Sequence, residues 1–438
     1  MRMKWTLGFI FLVLVTGGTV WAQASQEPLT LEQSIEIALE RNLSLHSAKE
    51  GVVGSRYRQK QAMTSFLPQW TGEYGYSRND PAVVVGSVQA ALPTQRLTSK
   101  DLFNFNSVIN QPIFAGGSIR SNYRIEKYGV DISKGDVETV RRDIVLQVRV
   151  GYFNILTAEK FVDVAKQALK QFEAQLEVSK AFFEVGIIPK NDLLQAEVRL
   201  ANARQALVKA ENDLALAKSQ FNIFLRRDIN EPLSVVDILE YKPSVLRLDD
   251  SLDEALRHRP ELKNAELRVE QAKESVKIAR SGYLPTIGLS GYYGRFSDEF
   301  SLYGDLSSDR WTVEALATFN LFDWGKTAYK VGESKVKVTQ AEDSKLQVID
   351  GIILEVKQDY LNMITAEKNV DVAEKSIEQA EENLRMNEER YKYQVATATD
   401  VLDAVTLLAQ ARVNYYSALS DFNVAKARLD RAMGKMYP

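Results

Sequence analysis

From Met363 onward, apolar residues return every seven positions. Met363, Val370, Ile377, Leu384 and Tyr391 form one series, with Ala366, Ala373, Ala380 and Asn387 at the intermediate positions. After a short turn the series resumes as Val401, Leu408, Tyr415, Phe422 and Leu429, with Ala404, Ala411, Ala418 and Ala425 between. A heptad sustained this long predicts two helices in a left-handed coiled coil. The alanines let the two backbones approach closely. The first half of the chain carries the same pattern, as Ile155, Val162, Leu169, Leu176 and Phe183, then Leu193, Leu200, Leu207, Leu214 and Phe221. The outgoing helix is expected from about Ser118 to Phe183, roughly 100 Å at about 1.5 Å per residue. Hairpins of about that length are expected in both halves.

Upstream of each hairpin the period changes from seven to two. Trp70, Tyr74 and Tyr76 alternate with Thr71, Glu73 and Gly75, and Phe103, Phe105 and Ile109 alternate with Asn104, Asn106 and Asn110. The second half has Ile287, Leu289 and Tyr293. Then Trp311, Val313, Ala315, Ala317, Phe319 and Leu321 oppose Thr312, Glu314, Thr318 and Asn320, with Leu316 out of phase. Strands of about ten residues, aromatic-rich on one face and polar on the other, fit a transmembrane β-barrel. A soluble β-sandwich with one buried face gives the same alternation. A helix is expected before each strand pair, from about Leu31 to Ser65 and from about Leu252 to Arg280. Leu67-Pro68 and Leu284-Pro285 close these helices, because proline disfavours helical geometry in the residue before it.

The two halves are copies. Ser34 to Arg41 matches Ser251 to His258 at an offset of 217, and Tyr152 to Lys160 matches Tyr360 to Lys368 at an offset of 208. The difference places about nine extra residues in the first copy, between Pro68 and Phe114. The expected divisions are a signal peptide over 1–24, a first repeat over 25–230, a packed connector over 231–250 and a second repeat over 251–438.

Composition narrows the function. With no cysteine and only His46 and His258, disulfides, thiolate sites and histidine-rich metal sites fall away. A net charge of −3 gives no electrostatic reason to expect nucleic acid. Arg2 and Lys4, the apolar run Leu7 to Val15 and the small residues Ala22 and Ala24 read as a secretory signal cleaved after Ala24, with Ala22 as the second choice. No other stretch offers the ~20 apolar residues of a membrane helix. An exported chain of this kind crosses a membrane by strands. Four strands cannot close a barrel without unpaired edges in lipid, so several chains must contribute.

The signal peptide, the duplicated helix–strand–strand–helix plan and the paired hairpins together resemble the TolC-like outer membrane efflux proteins. The turn sequences carry the resemblance most specifically: Phe183 to Ala196, with Gly186, and Tyr391 to Ala404, where Gln394 replaces the glycine. What this resemblance implies is a mixed α and β membrane protein, with coiled-coil hairpins forming a periplasmic α-barrel beneath a transmembrane β-barrel. It implies a homotrimer with four strands per protomer, twelve in all, in contact with outer-membrane lipid. Such a trimer is the exit duct of a tripartite efflux or type I secretion system. It meets a periplasmic adaptor (membrane fusion) protein directly and an inner-membrane transporter indirectly. No catalysis, cofactor, metal or nucleic acid is expected. A soluble periplasmic coiled-coil scaffold is the alternative, though it leaves the aromatic strands without a purpose.

The resemblance also implies site residues. Asp400 and Asp403 match the family's aspartate rings at the pore entrance, and Tyr391 matches a clasp tyrosine whose basic partner position is Ala396 here. Residues three apart share a helix face, so both carboxylates can point into one lumen. The contrary reading makes Asp192 and Asp400 helix N-terminal acids favoured by the dipole. Gly186, Asp192, Leu193, Leu194, Ala196, Val401, Leu402 and Ala404 are the expected adaptor-contacting tip residues.

Overall fold

The computed structural model of the protein describes residues 28–78, 84–85, 95–96, 100–243, 246–304 and 307–435. The expected signal peptide lies outside them. The first repeat comprises helices α1 (Leu31–Arg41) and α2 (Leu43–Thr64), strand β1 (Gln69–Arg78), a two-residue ribbon of β2 (Val84–Val85) and β3 (Gln95–Arg96), strand β4 (Asp101–Ala115), and helices α3 (Ser118–Glu184) and α4 (Lys190–Phe224). The second comprises α5 (Leu248–His258), α6 (Pro260–Arg280), β5 (Thr286–Ser297), β6 (Ser308–Thr318), α7 (Lys326–Lys392) and α8 (Ala398–Ala432). Among the described residues no helix is long and apolar enough to cross a membrane.

Each helix expected ahead of the strands is broken in two. In the first repeat the break falls at Asn42, whose side chain accepts from the amides of Ser44 and Leu45 at 2.8 and 3.2 Å and so starts α2 afresh. In the second it falls at Arg259, held extended before Pro260, which opens α6. The strand expected to run to Leu321 ends at Thr318.

The long helices α3 and α7 have 67 residues each, about 100 Å. Their return helices have only 35, so each two-helix hairpin is about half the expected length. The remaining seam of α3 is filled by α2 and α6. Ser55 meets Ser133 and Arg58 meets Glu126 there, whereas α4 meets α3 through Lys218–Glu159 and Arg204–Glu173. The heptad residues are buried as their period requires, among them Met363, Val370, Leu384, Val401, Leu408, Phe422 and Leu429.

The core is divided. One cluster, around Tyr152, Ile155, Phe221, Leu225, Met363 and Phe422, takes in α1 and the connector residues Leu233, Val235 and Leu239. There Leu29 bridges Val235 in parallel, and the Tyr152 hydroxyl shares its proton between the carbonyls of Leu29 (2.9 Å) and Val236 (2.7 Å). Burial pushes that phenol up to about 12. The second cluster lies at the far ends of the hairpins, around Phe172, Leu200, Leu384, Tyr391, Leu402 and Leu408.

The main sheet is antiparallel, in the order β1-β4-β5-β6, with β4 against β5 joining the two repeats. Its register lines up Trp70, Ile109, Gly291 and Val313 in one row, and Glu73, Asn106, Gly294 and Arg310 in a row of opposite facing. One face is therefore apolar and aromatic and the other polar. Trp70 and Trp311 are among its most exposed residues. Neither outer edge, β1 or β6, has a strand partner among the described residues.

Backbone conformation repeats with the duplication. Gly116 and Trp324, Gly117 and Gly325, Gly186 and Gln394, and Arg226 and Gly434 are pairs at the offset of 208, and all eight residues have positive φ. Each pair contains at least one glycine, the residue that reaches this region without a Cβ penalty.

Candidate functional site

The hairpin tips are built alike. At the end of α3, Gly186 N–H donates to Phe183 O and Ile187 N–H to Phe182 O. At the end of α7, Gln394 N–H donates to Tyr391 O and Val395 N–H to Arg390 O. Both are Schellman closures with the left-handed residue just past the helix. Gln394 takes φ 58° where Gly186 takes φ 78°. The missing glycine therefore changed the cost of the second tip and left its shape intact.

The expected site residues divide by burial. Gly186 and Leu194 are exposed, and Asp192 and Leu193 are half-buried. Ala196, Val401, Leu402 and Ala404, expected on the adaptor-facing surface, are instead buried inside the tip. They point into the α4–α8 side of the second core cluster, so they hold the tip's shape and present nothing outward. The outermost apolar side chains are Val185 and Ile187 on the first tip and Tyr393 and Val395 on the second, again matched at the offset of 208. The sequence offered a signal for them, since they flank the turn residue, but attention to the helix starts passed over them.

Tyr391 lies in the tip core with its ring 5.3 Å from that of Phe182. Burial raises its pKa. The nearby Ser179 hydroxyl opposes this and the Asp192 charge adds to it. Asp400 closes a capping box: its carboxylate accepts from Thr397 N (2.7 Å) and Oγ1 (2.8 Å), and its own amide donates to Thr397 Oγ1 at 3.2 Å. The Thr397 backbone bond, then its hydroxyl, holds the carboxyl below the usual range.

Asp403 is engaged differently. It accepts from Arg199 of α4 at 2.7 Å, and one turn away Thr399 Oγ1 donates to Gln195 Oε1 at 2.8 Å. These two contacts strap the return helices of the two hairpins together. Ala396, at the position where a basic residue was looked for, is partly buried against the tip core. Thus the basic partner of Asp403 comes from α4, a residue that sequence reasoning missed. Its signal was the spacing of Gln195 and Arg199, one turn apart, opposite Thr399 and Asp403. Elsewhere Glu159 pairs with Lys218 at 2.9 Å, and Glu367 accepts from Tyr241 at 2.6 Å, so both are bridging charges. Among the described residues no cluster of acids and histidines could hold a metal ion.

A sheet apolar on one face and open at both edges, joined to paired helices of about 100 Å, defines a protomer of a membrane duct. The chain belongs to the outer membrane efflux protein family. That family's sequence model matches residues 34–221 and 251–435, one match in each repeat. The outer membrane efflux protein BepC of Brucella suis is 23% identical over 428 residues, which cover 97% of this chain and 89% of that protein. The outer membrane protein TolC of Vibrio cholerae is 25% identical over 423 residues, 92% of this chain and 88% of that one. The crystal structure of the Campylobacter jejuni CmeC outer membrane channel superposes with a TM-score of 0.79 at 20% identity, over 92% of this chain and 85% of that one. The protein is thus an outer-membrane protein of a channel family.

Proposed function

We propose that three copies of this chain close into one duct, the exit channel of a tripartite efflux or type I secretion system. The observation that carries this reading is that the two free sheet edges, and exposed apolar faces on α4 and α7, offer complementary surfaces. The free edge of β1 suits the free edge of β6 of a second copy. Exposed Leu194, Val198, Val208, Leu216 and Ile223 fall on one face of α4, and exposed Leu354, Leu361, Val372 and Met386 on one face of α7. Head-to-tail contacts of this kind generate closed rings. Eight strands from two copies would be filled by their own side chains, whereas twelve from three copies leave a lumen.

In such a ring Glu73, Asn106, Arg310 and Glu314 line the barrel and the aromatic face meets lipid. The tips form the entrance, where Asp400, Asp403 and Tyr391 constitute the gate. Val185, Gly186, Ile187, Tyr393 and Val395 offer the surface for a periplasmic adaptor, with Leu194 beside them. The Arg199–Asp403 pair gives the gate a strap between hairpins that must part, or move as a unit, when the entrance widens. Native mass spectrometry of the mature chain in detergent tests the assembly. Three copies are expected, and a chain that stays monomeric and soluble without detergent would overturn the reading.

A further inference from the structure

The turn between β6 and α7 differs from its copy in one respect that its backbone does not require. Both turns place two successive residues at positive φ, Gly116 and Gly117 in the first repeat and Trp324 and Gly325 in the second. In the first, a Cβ at residue 116 would lie 2.8 Å from Ser281, so no side chain fits. In the second, the same conformation carries the largest side chain available, and that side chain is 86% exposed. A bulky residue in this region is an outlier whose cost calls for a use.

The turn is built to hold Trp324 outward. Asp323 accepts from Gly325 N at 3.1 Å and Thr327 N at 2.8 Å, and also from the Thr327 hydroxyl, clamping the residues on either side of the indole. The Phe322 ring packs edge-on against the indole at 4.9 Å. Leu321 and Tyr329 are exposed beside it, as are the ammonium groups of Lys326 and Lys330. The patch continues the apolar face of the sheet beyond the last strand pair, Thr286 with Thr318, on the side of the helices. An indole with apolar neighbours and lysines one turn away has the chemistry of the bilayer interface, where a ring sits at headgroup depth and ammonium groups reach phosphate.

We infer that Trp324 is a membrane-interface anchor that inserts at the phospholipid headgroup level of the leaflet nearest the helices and fixes the height of the duct in the membrane. Each protomer has one such anchor, because the matching turn of the first repeat has no room for it. This inference rests on the barrel reading of the sheet, and the two can be tested apart.

The mature chain holds three tryptophans, Trp70, Trp311 and Trp324, since Trp5 and Trp21 fall in the expected signal peptide. Trp70→Phe with Trp311→Phe leaves Trp324 alone, and Trp70→Phe with Trp324→Phe leaves Trp311 alone. Each is purified as the assembled protein and reconstituted in phosphatidylglycerol–phosphatidylcholine vesicles with brominated acyl chains. Trp311 emission is expected to be quenched in lipid, which checks the barrel. Trp324 emission should be quenched more by bromine near the glycerol end than near the methyl end, and little by aqueous iodide. If Trp311 is quenched but Trp324 answers only to iodide, or to neither quencher because an adjacent subunit covers it, the anchor is refuted and the barrel stands. If neither tryptophan responds to lipid, the barrel reading itself fails. Should the double variants not assemble, Trp324→Cys in the naturally cysteine-free chain, carrying a polarity-sensitive dye, reads the same depth. A blue shift on reconstitution supports the anchor, and water-like emission refutes it.

Discussion

Gln394 shows how much a single position can conceal. The sequence displays a lost glycine at the second tip, where Gln394 stands opposite Gly186. The structure has the same closure in both, because a Schellman turn needs the φ and not the residue. Gln394→Gly is therefore expected to stabilise the protein by about 1 kcal/mol, the usual penalty for an L-residue in the left-handed region. Thermal unfolding measures it, and an unchanged or lower midpoint would mean that the glutamine side chain has compensating contacts. For Asp400 the resemblance implied a gate role and the contrary reading a helix N-terminal acid, and its capping bonds agree with a residue at the helix start. Its folded pKa is depressed, so its contribution is complete above the ordinary carboxylate range and is lost as pH falls below that range through the folded value. Amide exchange in the second tip should accelerate relative to the first as pH drops through that window. Equal behaviour of the two tips would place the cap outside the stability of the gate. Asp403 carried the same implied gate role from the resemblance, without its ion pair. Its partner, Arg199, lies 204 positions away in the chain, and the matched spacing of Gln195 with Arg199 and of Thr399 with Asp403 is the trace of the pairing in the sequence.

Among the elements, helices and strands were readable because each exposes one face to a core or to lipid, and periodicity records that face directly. What periodicity does not record is which element covers it. Helix α3 runs past the end of α4, and its length suggested a hairpin twice as long as the one formed. Half of that seam belongs to α2 and α6. The breaks at Asn42 and Arg259 were visible as a capping asparagine and an Arg-Pro step but were overridden by the surrounding helical pattern. Between the two repeats, Tyr152 ties α3 to the strand-like segments at Leu29 and Val236 through a single hydroxyl. Tyr152→Phe is expected to cost about 1 kcal/mol, because the Val236 carbonyl loses this donor while the Leu29 carbonyl keeps the Val236 amide at 3.1 Å. The loss should appear in denaturant unfolding of the assembled protein. A change within error would show that water replaces the hydroxyl.

For the whole molecule, the duplication, the secretion signal and the aromatic dyad pattern admit a membrane barrel, and the resemblance to the TolC-like proteins implies the duct. The polar and apolar faces of the sheet then fell where alternation placed them. Burial at the tips was not legible in the same way, because it depends on how α4 and α8 pack together, and Ala196, Val401, Leu402 and Ala404 lie inside. If the outermost apolar residues receive an adaptor, Ile187→Glu and Tyr393→Glu should abolish drug resistance conferred on a deletion host while native mass spectrometry still finds three copies. Full resistance in both variants would move the docking surface elsewhere. The central claim is that the tips form the mouth of a pore lined by the carboxylates of α8. Single-channel recording of the mature protein in planar lipid bilayers tests it most directly. Cation-preferring conductance is expected, with block by divalent cations that weakens in the Asp400→Asn, Asp403→Asn protein. An absence of conductance, or block and selectivity unaltered by removing both carboxylates, would contradict the account.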